Sequence, residues 1–233
     1  MTLSIENLTV LQGARTVVAD ASLSVAPGKV TAVLGANGAG KSELSLAIGG
    51  MMPVAAGRVA LDGVDLTGLA PDAVRRAGVA VVPEGHRVLT RLSVDDNLRA
   101  AGSLLSAREV ETQLKTAYDL FPELAERKHQ VAGTMSGGQQ QMLAIGHALM
   151  CRPRYMVIDE MSLGLAPLIV KRLVATIGEL VAKGSGVILV EQFTEVALSL
   201  ADDAVVMRGG EVRYSGTALA LKEDPSLLDK AYF

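Results

Sequence analysis

The residues with the plainest chemical meaning are Gly35, Ala36, Asn37, Gly38, Ala39, Gly40, Lys41 and Ser42, whose spacing fits GxxxxGK[ST]. Glycines in such a loop let backbone N–H groups turn inward around phosphate oxygens. Lys41 would neutralise charge on the terminal phosphates, and the Ser42 hydroxyl would ligate Mg2+. A second feature is Met156-Val157-Ile158-Asp159-Glu160, an apolar run that ends in two carboxylates. At the ligand-binding edge of an open α/β sheet the two would divide the work. Asp159 would hold the metal through its water shell, while Glu160 would orient or deprotonate a water that attacks the terminal phosphate. A third is Ser136-Gly137-Gly138-Gln139, which opens a helical run over 140–150. Unpaired N–H groups and the helix dipole would make that end a second anion site, although Ser-Gly-Gly alone usually reads as a cap and a turn.

These residues require particular elements to carry them. Residues 30–34 predict a short buried strand that runs straight into the glycine loop, and residues 43–48 predict the helix that follows it. Residues 58–61, 79–82, 155–158, 187–190 and 204–207 are mostly continuous apolar runs, as suits strands buried on both faces of a largely parallel sheet. Before them, Leu3, Ile5 and Leu8 open an apolar pattern, and residues 22–29 alternate into a turn, which predicts an antiparallel edge sheet. Between about 93 and 150 the period becomes helical, with Leu98, Leu104, Leu105, Val110, Leu114 and Leu120 spaced for amphipathic helices. Arg208-Gly209-Gly210 predicts a hairpin turn between 205–207 and 212–214. The expectation is one α/β domain over 1–233, with a core of about 1–90 and 151–233 and a helical insertion of about 91–150.

Composition narrows the function. Twenty-two basic and 25 acidic residues give a net charge of −3, and seven aromatics with no Trp leave little for stacking bases, so no nucleic-acid partner is expected. No run approaches the ~18 apolar residues a membrane span needs. The start, Met1 to Glu6, has neither a basic leader nor a long apolar stretch, which predicts a cytoplasmic chain. The single Cys151 excludes an internal disulfide and reads as a packed side chain. His129 and His147 form no metal-ligand cluster, and a lone loop histidine such as His86 is more often solvated than functional.

The three motifs in this order resemble the ATP-binding subunits of ABC transporters, over a span from Leu3 to Tyr232. In that resemblance residues 35–42 are the Walker A loop, residues 136–139 the signature, and residues 155–159 the Walker B strand followed by a catalytic Glu160. It implies a P-loop NTPase (RecA-like) core, ATP and Mg2+ as ligands, and two subunits paired head to tail, each signature closing over ATP held by the other's Walker A. A narrower resemblance is to the smaller ATPase of branched-chain amino acid importers and related amide and urea systems. It is carried by Val82-Pro83-Glu84-Gly85, residues 92–98, Ser162-Leu163-Gly164-Leu165-Ala166-Pro167, Val190-Glu191-Gln192, and the closing Asp224-Pro225 and Ala231-Tyr232. This implies permease subunits, a second ATPase subunit (self or paralogue), a periplasmic solute-binding protein at one remove, and a place on the inner face of the cell membrane.

By the same resemblance Glu84 stands where most ABC proteins have the Q-loop Gln, and Gln192 where most have the switch His. Glu84 can reach Mg2+ as an oxygen ligand. Gln192 can donate to the terminal phosphate but cannot take up a proton near neutral pH. Three departures stand out. Glu43 replaces a Thr that would help bind the α-phosphate, and its carboxylate should repel the ligand. Residues 10–19, around Gln12, lack the aromatic that normally stacks on adenine. Met135 and Met161 replace Leu and Pro, as packing changes. Residues 95–105 form a helical segment that could dock a permease. Three readings stay open at this point: an importer motor, an ABC ATPase without a permease that acts on nucleic acid or in cofactor assembly, and a catalytically weak nucleotide-binding partner.

Overall fold

The structure, a computed structural model, describes residues 2–232; Met1 and Phe233, the two ends of the expected domain, lie outside the described residues. The chain opens with β1 (Leu3–Gln12) and β2 (Arg15–Val25), an antiparallel hairpin in which Leu3 faces Val25 and Gln12 faces Arg15. Next come β3 (Val30–Leu34), α1 (Lys41–Ile48), β4 (Val54–Leu61), β5 (Val64–Asp65), α2 (Pro71–Ala77) and β6 (Val79–Val82). A helical stretch follows: α3 (Val94–Ala101), α4 (Ala107–Leu120), α5 (Pro122–Ala125), a 3-10 turn (Ala132–Thr134) and α6 (Gly137–Leu149). The chain then returns through β7 (Tyr155–Asp159), α7 (Pro167–Ala182), β8 (Gly186–Glu191), α8 (Thr194–Leu200), β9 (Asp203–Arg208), β10 (Glu211–Thr217), α9 (Ala218–Glu223) and α10 (Pro225–Tyr232). Among the described residues, no helix is long and apolar enough to cross a membrane.

Two sheets result. One has four antiparallel strands in the order β2-β1-β4-β5, and the other has six in the order β10-β9-β3-β8-β7-β6, parallel except for β10. In β3, β7 and β8 every residue is buried, because both faces of the larger sheet are covered. The period of two divides their side chains between two cores. Ala32, Leu34, Met156, Ile158 and Leu189 pack against the helices from α3 to α9. Val33, Val157, Ile188, Val190 and Val205 pack against α1 and the antiparallel sheet. The larger sheet is therefore the middle layer.

The sequence pattern misplaces two features. Residues 58–61, expected in the parallel sheet, belong to β4 and pair antiparallel with β1, Leu61 facing Leu3. A short apolar run signals burial but not strand direction. Leu104 and Leu105, expected on a helix, fall in the break between α3 and α4, where Leu104 is exposed. Gly102 ends α3, and Ser106 starts α4 afresh with a capping box to Glu109. The segment 95–105 is thus not one helix. Cys151 is partly buried, its sulfur 3.7 Å from the Ala101 carbonyl, while Met135 and Met161 are both buried.

Candidate functional site

Four neighbouring strands, β3, β8, β7 and β6, run parallel, so their carboxyl ends share one edge. The register sets what meets there: Leu34 lies beside Glu191, Asp159 beside Val190, and Val82 beside Ile158. The glycine loop, Gln192, Glu160 and Glu84 follow directly on these ends. Chain direction alone gathers segments as far apart in sequence as residues 35 and 192.

The loop between β3 and α1 is pinned from outside. Gly210 donates to the Ala39 carbonyl at 3.0 Å, and Ala19 donates to Gly210 at 2.8 Å, so β2 and the β9–β10 turn brace it. Gly40 caps α1 with φ 97°, and a Cβ there would lie 2.3 Å from the Val17 carbonyl oxygen. Only glycine meets both demands. No side chain caps α1, so its first N–H groups are left for an anion. Gly35, Ala39 and Gly40 are buried, while Ala36, Asn37 and Gly38 are exposed. Lys41 is only 4% exposed; its Nζ donates to the Ala36 carbonyl at 3.2 Å and lies 3.8 Å from Glu160 Oε1. Ser42 and Glu43 are half-buried in the first turn of α1.

Beside Lys41 the two carboxylates differ. Asp159 is 1% exposed, and neither of its oxygens has a hydrogen-bond partner of ordinary geometry. Burial pushes its carboxyl up to about 6; the nearby Ser42 hydroxyl pulls the other way, and the charges of Glu160 and Glu84 add to the rise. Two orphaned oxygens on a buried acid, with a hydroxyl at hand, fit a hard divalent cation. No group of three or more His, Cys, Asp or Glu that could hold a metal occurs among the described residues. Glu160 has φ 47°, and its N–H donates to the Val190 carbonyl at 2.9 Å. Glu84 and Gln192 are exposed at the same edge.

The second helix end lies elsewhere. No hydrogen bond or ion pair joins residues 136–139 to residues 35–42 among the described residues. Ser136 Oγ accepts from the Gln139 N–H, and Gln139 Oε1 accepts from the Ser136 N–H at 3.1 Å, a closed capping box. Gly138 is buried, and a Cβ on it would lie 2.6 Å from Ile169 Cγ2, so α6 and α7 touch there. Gly137 is half-buried near the His86 ring. His86 is therefore not the solvated loop residue expected: its Nδ1 lies 2.6 Å from Oε1 of the buried Gln141. The tip of the β1–β2 hairpin, with Gln12, is exposed.

Sequence reasoning missed one contact at this edge. Glu191 is 1% exposed and accepts twice from Ser162, at 3.1 Å from the backbone N–H and 2.8 Å from the hydroxyl. Burial pushes its carboxyl above the usual range, with the two Ser162 bonds opposing. The available signal was strand alternation, which turns Glu191 inward when Gln192 faces out.

Residues 18–162 match the family model for the ABC transporter. The chain is 41% identical over 227 residues to BraG, a high-affinity branched-chain amino acid transport ATP-binding protein of Pseudomonas aeruginosa, covering 97% of each chain. It is 35% identical to LivF, a probable branched-chain amino acid transport ATP-binding protein of Archaeoglobus fulgidus, over 88% of this chain and 87% of that one. It superposes with a TM-score of 0.87 on a solved ATP-binding cassette of an ABC transporter in its ADP conformation, 27% identical, covering 99% and 98% of the two chains.

Proposed function

The chain belongs to the ABC transporter family, as an ATP-binding and ATP-hydrolysing subunit, and from that premise we propose that it drives an importer for branched-chain amino acids or a related small polar solute. The observation that carries the reading is the meeting of Lys41 and Glu160, 3.8 Å apart and both buried, beside the orphaned oxygens of Asp159 at the mouth of an uncapped helix. The BraG and LivF likenesses support the solute class.

Each residue has a task in this reading. Backbone N–H groups of residues 35–42 and the open end of α1 surround the phosphates, and the Lys41 ammonium offsets their charge. Ser42, Asp159 and Glu84 would hold Mg2+, which would supply positive charge to offset that of the terminal phosphates. Glu160 orients the attacking water and accepts its proton, and Gln192 donates to the terminal phosphate. Ser136, Gly137, Gly138 and Gln139 serve a second ATPase subunit, by presenting α6 to nucleotide held there. We place nucleotide binding in a core of about 1–90 and 151–233, and contact with the permease in the helical part of about 91–150. The chain sits on the cytoplasmic face of the membrane, with a solute-binding protein on the far side and no nucleic acid involved.

Steady-state hydrolysis of Mg-ATP by the chain and by Glu160→Gln tests the assignment. Turnover is expected to fall at least a hundredfold while Mg-ATP binding persists, in the range that positioned acid–base groups contribute. Equal rates in both proteins would refute it. Affinity capture of tagged Glu160→Gln with Mg-ATP from detergent-solubilised native membranes should recover two hydrophobic permeases and a second ATPase. Recovery of soluble proteins or nucleic acid alone would refute the transport role.

A further inference from the structure

Glu160 is held in the left-handed region, with φ 47°, although it carries a side chain. Such a conformation persists only where the surroundings over-determine it, and it tends to mark sites where geometry matters to the chemistry. Three hydrogen bonds tie this turn to the carboxyl end of β8. The Glu160 N–H donates to Val190 at 2.9 Å, and Ser162 donates twice to Glu191, at 3.1 and 2.8 Å. The turn from β7 into the following loop is thereby clamped at its first and third residues.

Glu191 makes an unusual anchor. It is 1% exposed, and no ion pair includes it among the described residues. A buried carboxylate without a cation is unfavourable unless its acceptors are used. Here both oxygens accept from Ser162, which is itself 4% exposed, and the Phe193 backbone N–H donates to the same carboxylate. A neutral side chain of similar shape would fill the space with less desolvation, so the carboxylate's value lies in gripping two donors two residues beyond Glu160.

We infer that Glu191 is a positioning residue for ATP hydrolysis: through Ser162 it fixes the turn at residues 160–162 and so aims the Glu160 carboxylate. This rests on the reading of Glu160 as the group that orients the attacking water. Gln192, exposed, directly follows Glu191 at the end of β8, so the strand end that braces residues 160–162 also leads into Gln192.

The test uses the full chain and its Glu191→Leu, Glu191→Gln, Ser162→Ala and Glu160→Gln variants, with kcat and KM for Mg-ATP, thermal melting, and hydrogen exchange at the Ser162 amide. Glu191→Leu should lower kcat at least tenfold with KM within twofold of the parent, and should speed exchange at Ser162. Glu191→Gln keeps the shape and one carbonyl acceptor, so it should recover much of that loss; it also serves if the Leu variant folds poorly. Ser162→Ala keeps the backbone bond and should lie closer still to the parent. The role is overturned if both Glu191 variants turn over within twofold of the parent while Glu160→Gln is inactive. It is equally overturned if kcat and melting temperature fall together in Glu191→Gln with Ser162 still protected. If instead Glu160→Gln hydrolyses ATP like the parent, the reading of Glu160 itself fails, whatever Glu191 does.

Discussion

The two helix N-termini that sequence marks as anion sites, at α1 and α6, are built in opposite ways. At α1 the cap is Gly40, which has no side chain to offer, and the first-turn N–H groups stay open. At α6 the cap is Ser136, whose hydroxyl and N–H are both engaged with Gln139. An open end is poised for a ligand, whereas a closed one is stable without it. The contrast suits a division of labour in which α1 binds ATP by itself and α6 acts only when two subunits meet. The surroundings agree: α1 has the buried Lys41 and the acids of β7 beside it, while the start of α6 touches His86, Leu165 and Ile169.

The contrast can be broken most severely at Lys41. Lys41→Ala removes a buried cation from the α1 site, and a charge-assisted contact of about 2–3 kcal/mol corresponds to a loss of roughly 30- to 150-fold in Mg-ATP affinity. Titration calorimetry checks it, with Ser136→Ala as the unaffected comparison.

The far end of α6 offers a pH test. His147 lies in its last turn, where a positive charge would favour the helix dipole, yet burial lowers its pKa to about 4, the Arg75 charge adds to this, and a bond to the Asn97 backbone only partly offsets it. Its Nε2 is buried without a partner. The folded value lies below the unfolded ~6.5, so this stability is fully present above about pH 6.5. It is lost as the pH falls towards about 4, because the unfolded chain takes up a proton that the native state refuses. The loss amounts to up to about 3 kcal/mol. Urea unfolding across that window should show it, and His147→Leu should flatten the slope.

A smaller effect sharpens the comparison at α1. Glu43 sits in the first turn, where a carboxylate favours the helix dipole but opposes a bound phosphate. Glu43→Gln should tighten Mg-ATP several-fold and lower stability by about 0.3–1 kcal/mol. Binding and melting measured on one sample would reveal that opposition.

Much of this architecture can be read from sequence, for identifiable reasons. Residues 30–34 are apolar throughout, end at a glycine loop and form β3 over the same residues. The Arg208-Gly209-Gly210 turn joins β9 to β10 because both glycines take positive φ, 58° and 88°. What could not be read depends on partners remote in sequence. An apolar stretch at 58–61 has no mark that pairs it with β1, and the bond between Glu191 and Ser162 spans 29 residues with no periodicity to announce it. His86 looked solvated because nothing local places Gln141 beside it. The residues around the phosphate loop are legible as a set because a parallel sheet brings its carboxyl ends to one edge. A cap at Ser136 was legible too, as a competing reading of the same residues, but its closure into a box with Gln139 comes from the structure.

The most direct test of the division of labour is Ser136→Ala, with Mg-ATP binding and steady-state hydrolysis measured on the same preparation. Removing the hydroxyl should cost about 1 kcal/mol of stability through the lost cap. Binding should stay within twofold of the parent while turnover falls at least tenfold. Binding that falls in step with turnover would place Ser136 in the site that α1 builds, and would contradict the separation of the two helix ends.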